Sequence, residues 1–217
     1  MKTDTKKLTT LAMLCAIAYV IMAVGRIPIS TVDFLKYDPK DIIITIGGFI
    51  YGPLAVLMMS LVVSLIEMVT VSTTGIIGFV MNVVQTCAFA CTAAFIYKKH
   101  HTLWGAVIGL VVGTVLATVA MLIWNYALTP IYMGMPREAV AEMLVPVFLP
   151  FNLIKGGINT SLTILFYKHI VTALRKANLV PVSQAHEKSS KTTLILALAL
   201  ILLIICIFVV LISKDII

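Results

Sequence analysis

Long apolar runs separated by short polar breaks dominate the chain. Apolar residues fill Leu8–Val24, Leu54–Val71, Ile76–Tyr97, Leu103–Trp124, about Val145–Tyr167 and Leu194–Ile212, the last being 19 apolar residues without interruption. Runs of this length are read as membrane-spanning helices, since about 20 apolar residues cross a hydrocarbon core. Leu8–Val24 follows Lys2, Lys6 and Lys7. No small-residue cleavage site follows it cleanly, and Leu14 before Cys15 spoils a lipoprotein site, so it is expected to be a retained span. Residues 25–40 read as a polar loop. Asp38-Pro39-Lys40-Asp41 reads as a helix start, with Asp38 as cap, Pro39 in the first turn and Asp41 at the positive dipole end. The apolar stretch that follows breaks at Gly52-Pro53. At about 13 residues and 1.5 Å per residue it reaches only about 20 Å, so neighbours must shield it or the bilayer must thin.

Composition agrees with this pattern. The chain is 61% hydrophobic and 12% charged, with a mean hydropathy of +1.10, which excludes an ordinary soluble domain. The net charge of +7 would suggest nucleic acid in a soluble protein; here it reads as basic cytoplasmic loops and no nucleic-acid partner. Charge placement decides whether Gly52-Pro53 is a hairpin or a kink. With a cytoplasmic N-terminus and a hairpin, the inner segments hold ten cations: Lys2, Lys6, Lys7, Lys98, Lys99, Lys168, Arg175, Lys176, Lys188 and Lys191. The outer segments hold five, Arg26, Lys36, Lys40, Arg137 and Lys214. A kink inverts the later loops and the ratio, so a hairpin and seven spans are expected. Asp33, Asp38, Asp41, Glu138, Glu142 and Asp215 then fall outside.

Five polar residues interrupt the spans: Glu67, Asn82, Asn125, Asn152 and Lys155. In this topology all five lie near the outer leaflet, which points to one outward-facing polar cavity. Asn152 and Lys155 are three apart and share a helix face just after Pro150, which suits a helix start. The outer loops add Phe34, Leu35, Tyr37, Tyr126 and Tyr132. Amides, aromatics and one lysine suit a flat, polar-edged ligand that is uncharged or mildly anionic. Blander roles stay open: Lys155 snorkelling outward or pairing with Glu67, Asn82 joining helices, and Trp124 and Tyr126 in an interfacial belt. No Walker A pattern, zinc-binding motif or nucleophile with a base can be assembled, so no enzyme is expected and no metal or cofactor site is assigned. Cys15, Cys87, Cys91 and Cys206 all sit in apolar runs and read as small hydrophobes.

The stretches Phe34-Leu-Lys-Tyr-Asp-Pro-Lys-Asp41, Ser64-Leu-Ile-Glu-Met68, Gly78-Phe-Val-Met-Asn82, Trp124-Asn-Tyr126 and Asn152-Leu-Ile-Lys-Gly-Gly-Ile-Asn159 together resemble the riboflavin-binding S components of energy-coupling factor (ECF) transporters, over roughly residues 8–176. The resemblance implies an all-α, six-helix membrane protein of the bacterial cell membrane that captures riboflavin near the outer face. The loop between the first two spans would act as a lid. Its partners would be a transmembrane coupling subunit and two cytoplasmic ATPases, and the loaded subunit would topple to release its cargo inside. By the same resemblance Leu35, Tyr37 and Asp38 would be lid or pocket residues. Asn125, Asn152 and Lys155 would hydrogen-bond the flavin, and Glu67, Met68, Met81 and Asn82 would line the pocket. Ala12 and Ala16 would contact the coupling subunit. Riboflavin would be cargo rather than a resident cofactor. Alternatives are an S component for another vitamin or flavin mononucleotide, and a membrane scaffold protein. The six-helix pattern does not call for the last span. Residues 1–176 are therefore expected to form the substrate-binding domain, 177–193 a polar linker, and 194–213 an additional transmembrane helix ending outside.

Overall fold

The computed structural model describes residues 5–29, 35–179 and 189–213. The expectations placed on Phe34, on linker residues 180–188 and on Lys214 and Asp215 lie outside the described residues, as does the side chain of Tyr132. The helices are α1 (Thr5–Gly25), α2 (Lys40–Tyr51), α3 (Pro53–Thr70), α4 (Gly75–Thr86), α5 (Thr92–Lys99), α6 (Leu103–Met133), α7 (Arg137–Met143), α8 (Leu149–Lys176) and α9 (Ser189–Ser213). A π-helical turn, Cys87–Cys91, joins α4 to α5, and another, Leu144–Phe148, joins α7 to α8, so each pair makes one continuous rod. Among the described residues, six segments are long and apolar enough to cross a membrane: α1, α3, α4–α5, α6, α7–α8 and α9. Exposed Val, Leu and Ile side chains such as Val20, Leu54, Val69, Ile123 and Leu200 spread over them and form a lipid-facing surface.

The remaining helix, α2, is the short one, and it is a hairpin arm rather than half of a kinked helix. Gly52 has φ 88° and ψ 177°, a region essentially restricted to glycine, and Pro53 opens α3 in its first turn. α2 turns back along α3 and is also enclosed by α1, α5 and α8. Every residue from Lys40 to Phe49 is buried, so neighbours shield the short arm. Gly48 lets α3 and α5 close in: a Cβ there would lie 2.3 Å from Val56 Cγ2 and 3.0 Å from Ala94 Cβ.

Several boundaries differ from the sequence expectation. Asp38 does not cap α2. Pro39 takes the cap position without a side-chain bond, because the Asp38 carboxylate turns inward to cations. The span containing Asn125 does not close there but runs to Gly134, which ends α6 in the left-handed conformation at φ 64°. Pro150 stands in the first turn of α8, as a helix start suits, but α8 is not a fresh start: the rod continues into it from Arg137 through the π turn Leu144–Phe148. α9 begins at Ser189, five residues before the apolar run.

The loop after α1 closes as a short antiparallel ribbon, β1 (Ile27–Pro28) with β2 (Lys36–Tyr37), pairing Ile27 with Tyr37. Ile29, Leu35 and Tyr37 bury themselves against Val140, Phe148 and Phe151, which anchors the loop over α7–α8. The larger apolar core lies toward the other end, around Leu14, Ile44, Val56, Met59, Phe89 and Leu110.

Candidate functional site

At the end of the bundle carrying that ribbon, an open cavity of about 820 Å³ including its mouth sits between α3, α4, α6 and α8. All five polar residues picked out inside the apolar runs line it: Glu67, Asn82, Asn125, Asn152 and Lys155. Leu35, Asp38 and Met81 line it too. Tyr37 and Met68 are not among its lining residues. Tyr37 is buried beside the cavity, its hydroxyl donating to Asn159 Oδ1 at 3.0 Å, and Met68 is half-buried on α3. Arg26, Lys36, Gln85, Met121, Phe151 and the α3–α4 turn (Val71, Ser72, Thr73, Thr74), none assigned to the site from sequence, complete the wall.

The floor is a network of buried charges. Lys155 is 5% exposed and points inward. Its ammonium donates to Gln85 Oε1 at 2.7 Å and stands 3.6 Å from Asp38 Oδ2, so it neither snorkels nor pairs with Glu67. Glu67 instead accepts from Arg26 at 2.5 Å and from Lys40. Lys40 is fully buried and lies 3.8 Å from Asp38 Oδ1. Asp38 and Asp41 are buried as well. Asp41 accepts from Thr86 at 2.6 Å and from Gln85 and Asn159 at 3.4 Å each. Three cations (Arg26, Lys40, Lys155) thus face three carboxylates (Asp38, Asp41, Glu67). Burial alone would push the Asp38 carboxyl up, but Lys155, Lys40 and Arg26 more than reverse it and hold it below the ordinary carboxylate range. Burial, reinforced by Asp38 and Asp41, pushes the Tyr37 hydroxyl up and keeps it a neutral donor.

The amides differ in how far they are already engaged. Asn125 donates to the Met121 carbonyl at 2.8 Å and accepts from Thr129 at 2.9 Å. Asn152 donates to the Phe148 carbonyl at 2.7 Å, in the widened turn of α7–α8. Asn82, also buried, has no hydrogen-bond partner among the described residues and faces the cavity. Amide donors and acceptors, one half-engaged lysine, the Met81 and Met121 side chains and the Phe151 ring can together hold a flat molecule by its polar edge and its apolar faces.

Lys40, Asp41, Thr86 and Asn159 were not assigned to the site from sequence, although Lys40, Asp41 and Asn159 lie in the stretches that carry the resemblance. Lys40 and Asp41 sit where a helix start explains charge without burial. Asn159 follows Asn152 by seven positions, two turns along one face, and that spacing could have found it.

The fold and the site define a polytopic α-helical membrane subunit with a closed-floored polar pocket at one end. The chain belongs to the family of substrate-specific components of ECF transporters, whose family model matches residues 6–167. It is 32% identical over 164 residues to the riboflavin transporter FmnP of Bacillus subtilis (strain 168), covering 71% of this chain and 86% of that protein. It is 29% identical over 181 residues to the riboflavin transporter RibU of Staphylococcus aureus (strain TCH60), covering 80% and 94%. A solved structure described as "Structure and mechanism of the S component of a bacterial ECF transporter" superposes with a TM-score of 0.68 at 29% identity, over 80% of this chain and 99% of that one. The family match takes in α1 to most of α8 and does not reach α9.

Proposed function

We propose that this chain captures riboflavin in the cavity beneath the β1–β2 ribbon and delivers it for ATP-driven uptake. One observation carries this reading: the polar residues buried in four separate spans converge on one cavity, in a chain whose relatives are named riboflavin transporters. Asn82, Asn125 and Asn152 would meet the imide edge of the ring. Lys155 would meet a carbonyl or ribityl oxygen, with Leu35, Met81 and Phe151 against the ring faces.

The N-terminal end, with Lys6, Lys7, Lys98, Lys99 and Lys176, would face the cytoplasm and the pocket the outside, and α9 would carry the C-terminus outward. Ala12 and Ala16 are both exposed, one turn apart on the outer face of α1. Small residues at that spacing admit a partner helix closely and suit a coupling subunit that works with two ATPases.

The test is a titration of stripped, detergent-purified protein followed by flavin fluorescence. Saturable one-to-one quenching at nanomolar riboflavin is expected. Asn152→Ala and Lys155→Ala should each weaken binding at least about tenfold, since a lost buried polar partner costs about 1–3 kcal/mol. Unchanged affinity in both variants would overturn the site.

A further inference from the structure

A second cavity, larger than the first and outside the site above, opens at the opposite, basic end of the bundle. It is a crevice of about 1290 Å³ including its mouth, between the α5–α6 turn, the last half of α8 and the start of α9. Its inner wall is apolar: Ala106, Ile164, Val171 and Leu196. Its rim is polar and cationic: His101, Lys168, Thr172 and Arg175. Among the described residues the lining holds no Asp or Glu. Arg175 lines the crevice, and its buried Nε has no hydrogen-bond partner among the described residues. Lys168 and Arg175 are seven apart and so lie on one face of α8, with Val171 between them and Ile164 a turn deeper.

We infer that this crevice binds an anionic phospholipid, its phosphate held by Arg175 and Lys168 and an acyl chain lying along Ile164, Ala106 and Leu196. The division of the walls matches an amphiphile, and the missing negative charge is the one a phosphodiester supplies. Basic pockets between spans are recurrent sites for such headgroups. A crevice at membrane depth with apolar walls is filled by lipid in preference to water. α9 is the least buried of the long helices and leans chiefly on α8, so a lipid seated here would also bridge α9 to the α5–α6 turn. This site does not depend on what the other cavity binds.

Native mass spectrometry of the full chain in detergent tests it, with phosphatidylglycerol, phosphatidylcholine of the same acyl chains, and inorganic phosphate as separate probes. Phosphatidylglycerol should stay bound at least tenfold more than phosphatidylcholine, and phosphate should not be retained. The double variant Lys168→Gln/Arg175→Gln should lower phosphatidylglycerol retention at least tenfold, to the phosphatidylcholine level. Leu196→Trp, which fills the crevice and leaves the cations in place, should also expel the lipid and guards against misfolding of the double variant. Folding is judged from helicity and gel filtration, independently of riboflavin. Equal retention of the two lipids, or no effect of either variant, overturns the site. Phosphate held as firmly as phosphatidylglycerol overturns the lipid assignment in favour of a small anion.

Discussion

Lys40 is the residue on which the buried network turns. It sits at the first turn of α2, where a lysine opposes the helix dipole, and it is fully buried. Both features are unfavourable alone. They persist because Glu67 and Asp38 flank the ammonium. A buried pair contributes little net stability over apolar packing, but removing one partner strands the other. Lys40→Met should therefore destabilise the protein by about 3 kcal/mol, at the low end of the range for broken buried pairs because Glu67 keeps Arg26. Adding Glu67→Gln should recover part of that loss. Unfolding midpoints of the detergent-purified variants check this, and simple addition of the two losses would show that the pair is not coupled. The legibility of the site follows the same physics. Glu67, Asn82, Asn125, Asn152 and Lys155 were readable because a charge or amide inside an apolar run is costly and usually has a reason. Lys40, Asp41 and Arg26 were not, because charge beside a loop looks solvated until the fold buries it. Gln85 lay unremarked three residues after Asn82, although that spacing puts both on one face.

At the level of elements, the hairpin was legible and the π turns were not. Gly52-Pro53 announces a break, and the basic residues on later loops decide its sense. The widened turns at Cys87–Cys91 and Leu144–Phe148 depend on packing that no local pattern encodes. Only Pro146 and Pro150 hint at the second. The hairpin makes two separable demands on glycine. Gly52→Ala meets backbone strain worth about 1–3 kcal/mol. Gly48→Ala meets Val56 and Ala94 across the α2–α3 and α2–α5 contacts, an overpacking cost of about 1–3 kcal/mol. Both should lower the unfolding midpoint. Val56→Ala should then recover part of the loss in the Gly48→Ala background and none in the Gly52→Ala background. Equal behaviour in the two backgrounds would mean that both losses share one origin.

For the whole molecule the question is what α9 adds to the bundle of α1 through α8. The family match ends at residue 167, and the described residues lining the polar cavity come from the loop after α1 and from α3, α4, α6, α8 and the α3–α4 turn. α9 contributes none of them. It presents Ile195, Ala199 and Cys206 toward the bundle and leaves most of its surface to lipid. Between spans there is no hydrophobic force of the aqueous kind, because lipid tails solvate an apolar helix face as well as another helix does. Removing α9 therefore exposes α8 to a solvent it tolerates. A chain ending after Leu179 keeps the Tyr51 bond to the Leu179 carbonyl at 3.3 Å. It should insert, elute as a single species and bind riboflavin within about threefold of the full chain, while losing retention of phosphatidylglycerol. Affinity lowered more than tenfold in the truncated chain would mean that α9, pressing on α8 through Cys206, holds the Asn152–Lys155 turn in its binding position. The additional helix would then belong to the capture mechanism as well as to its membrane setting.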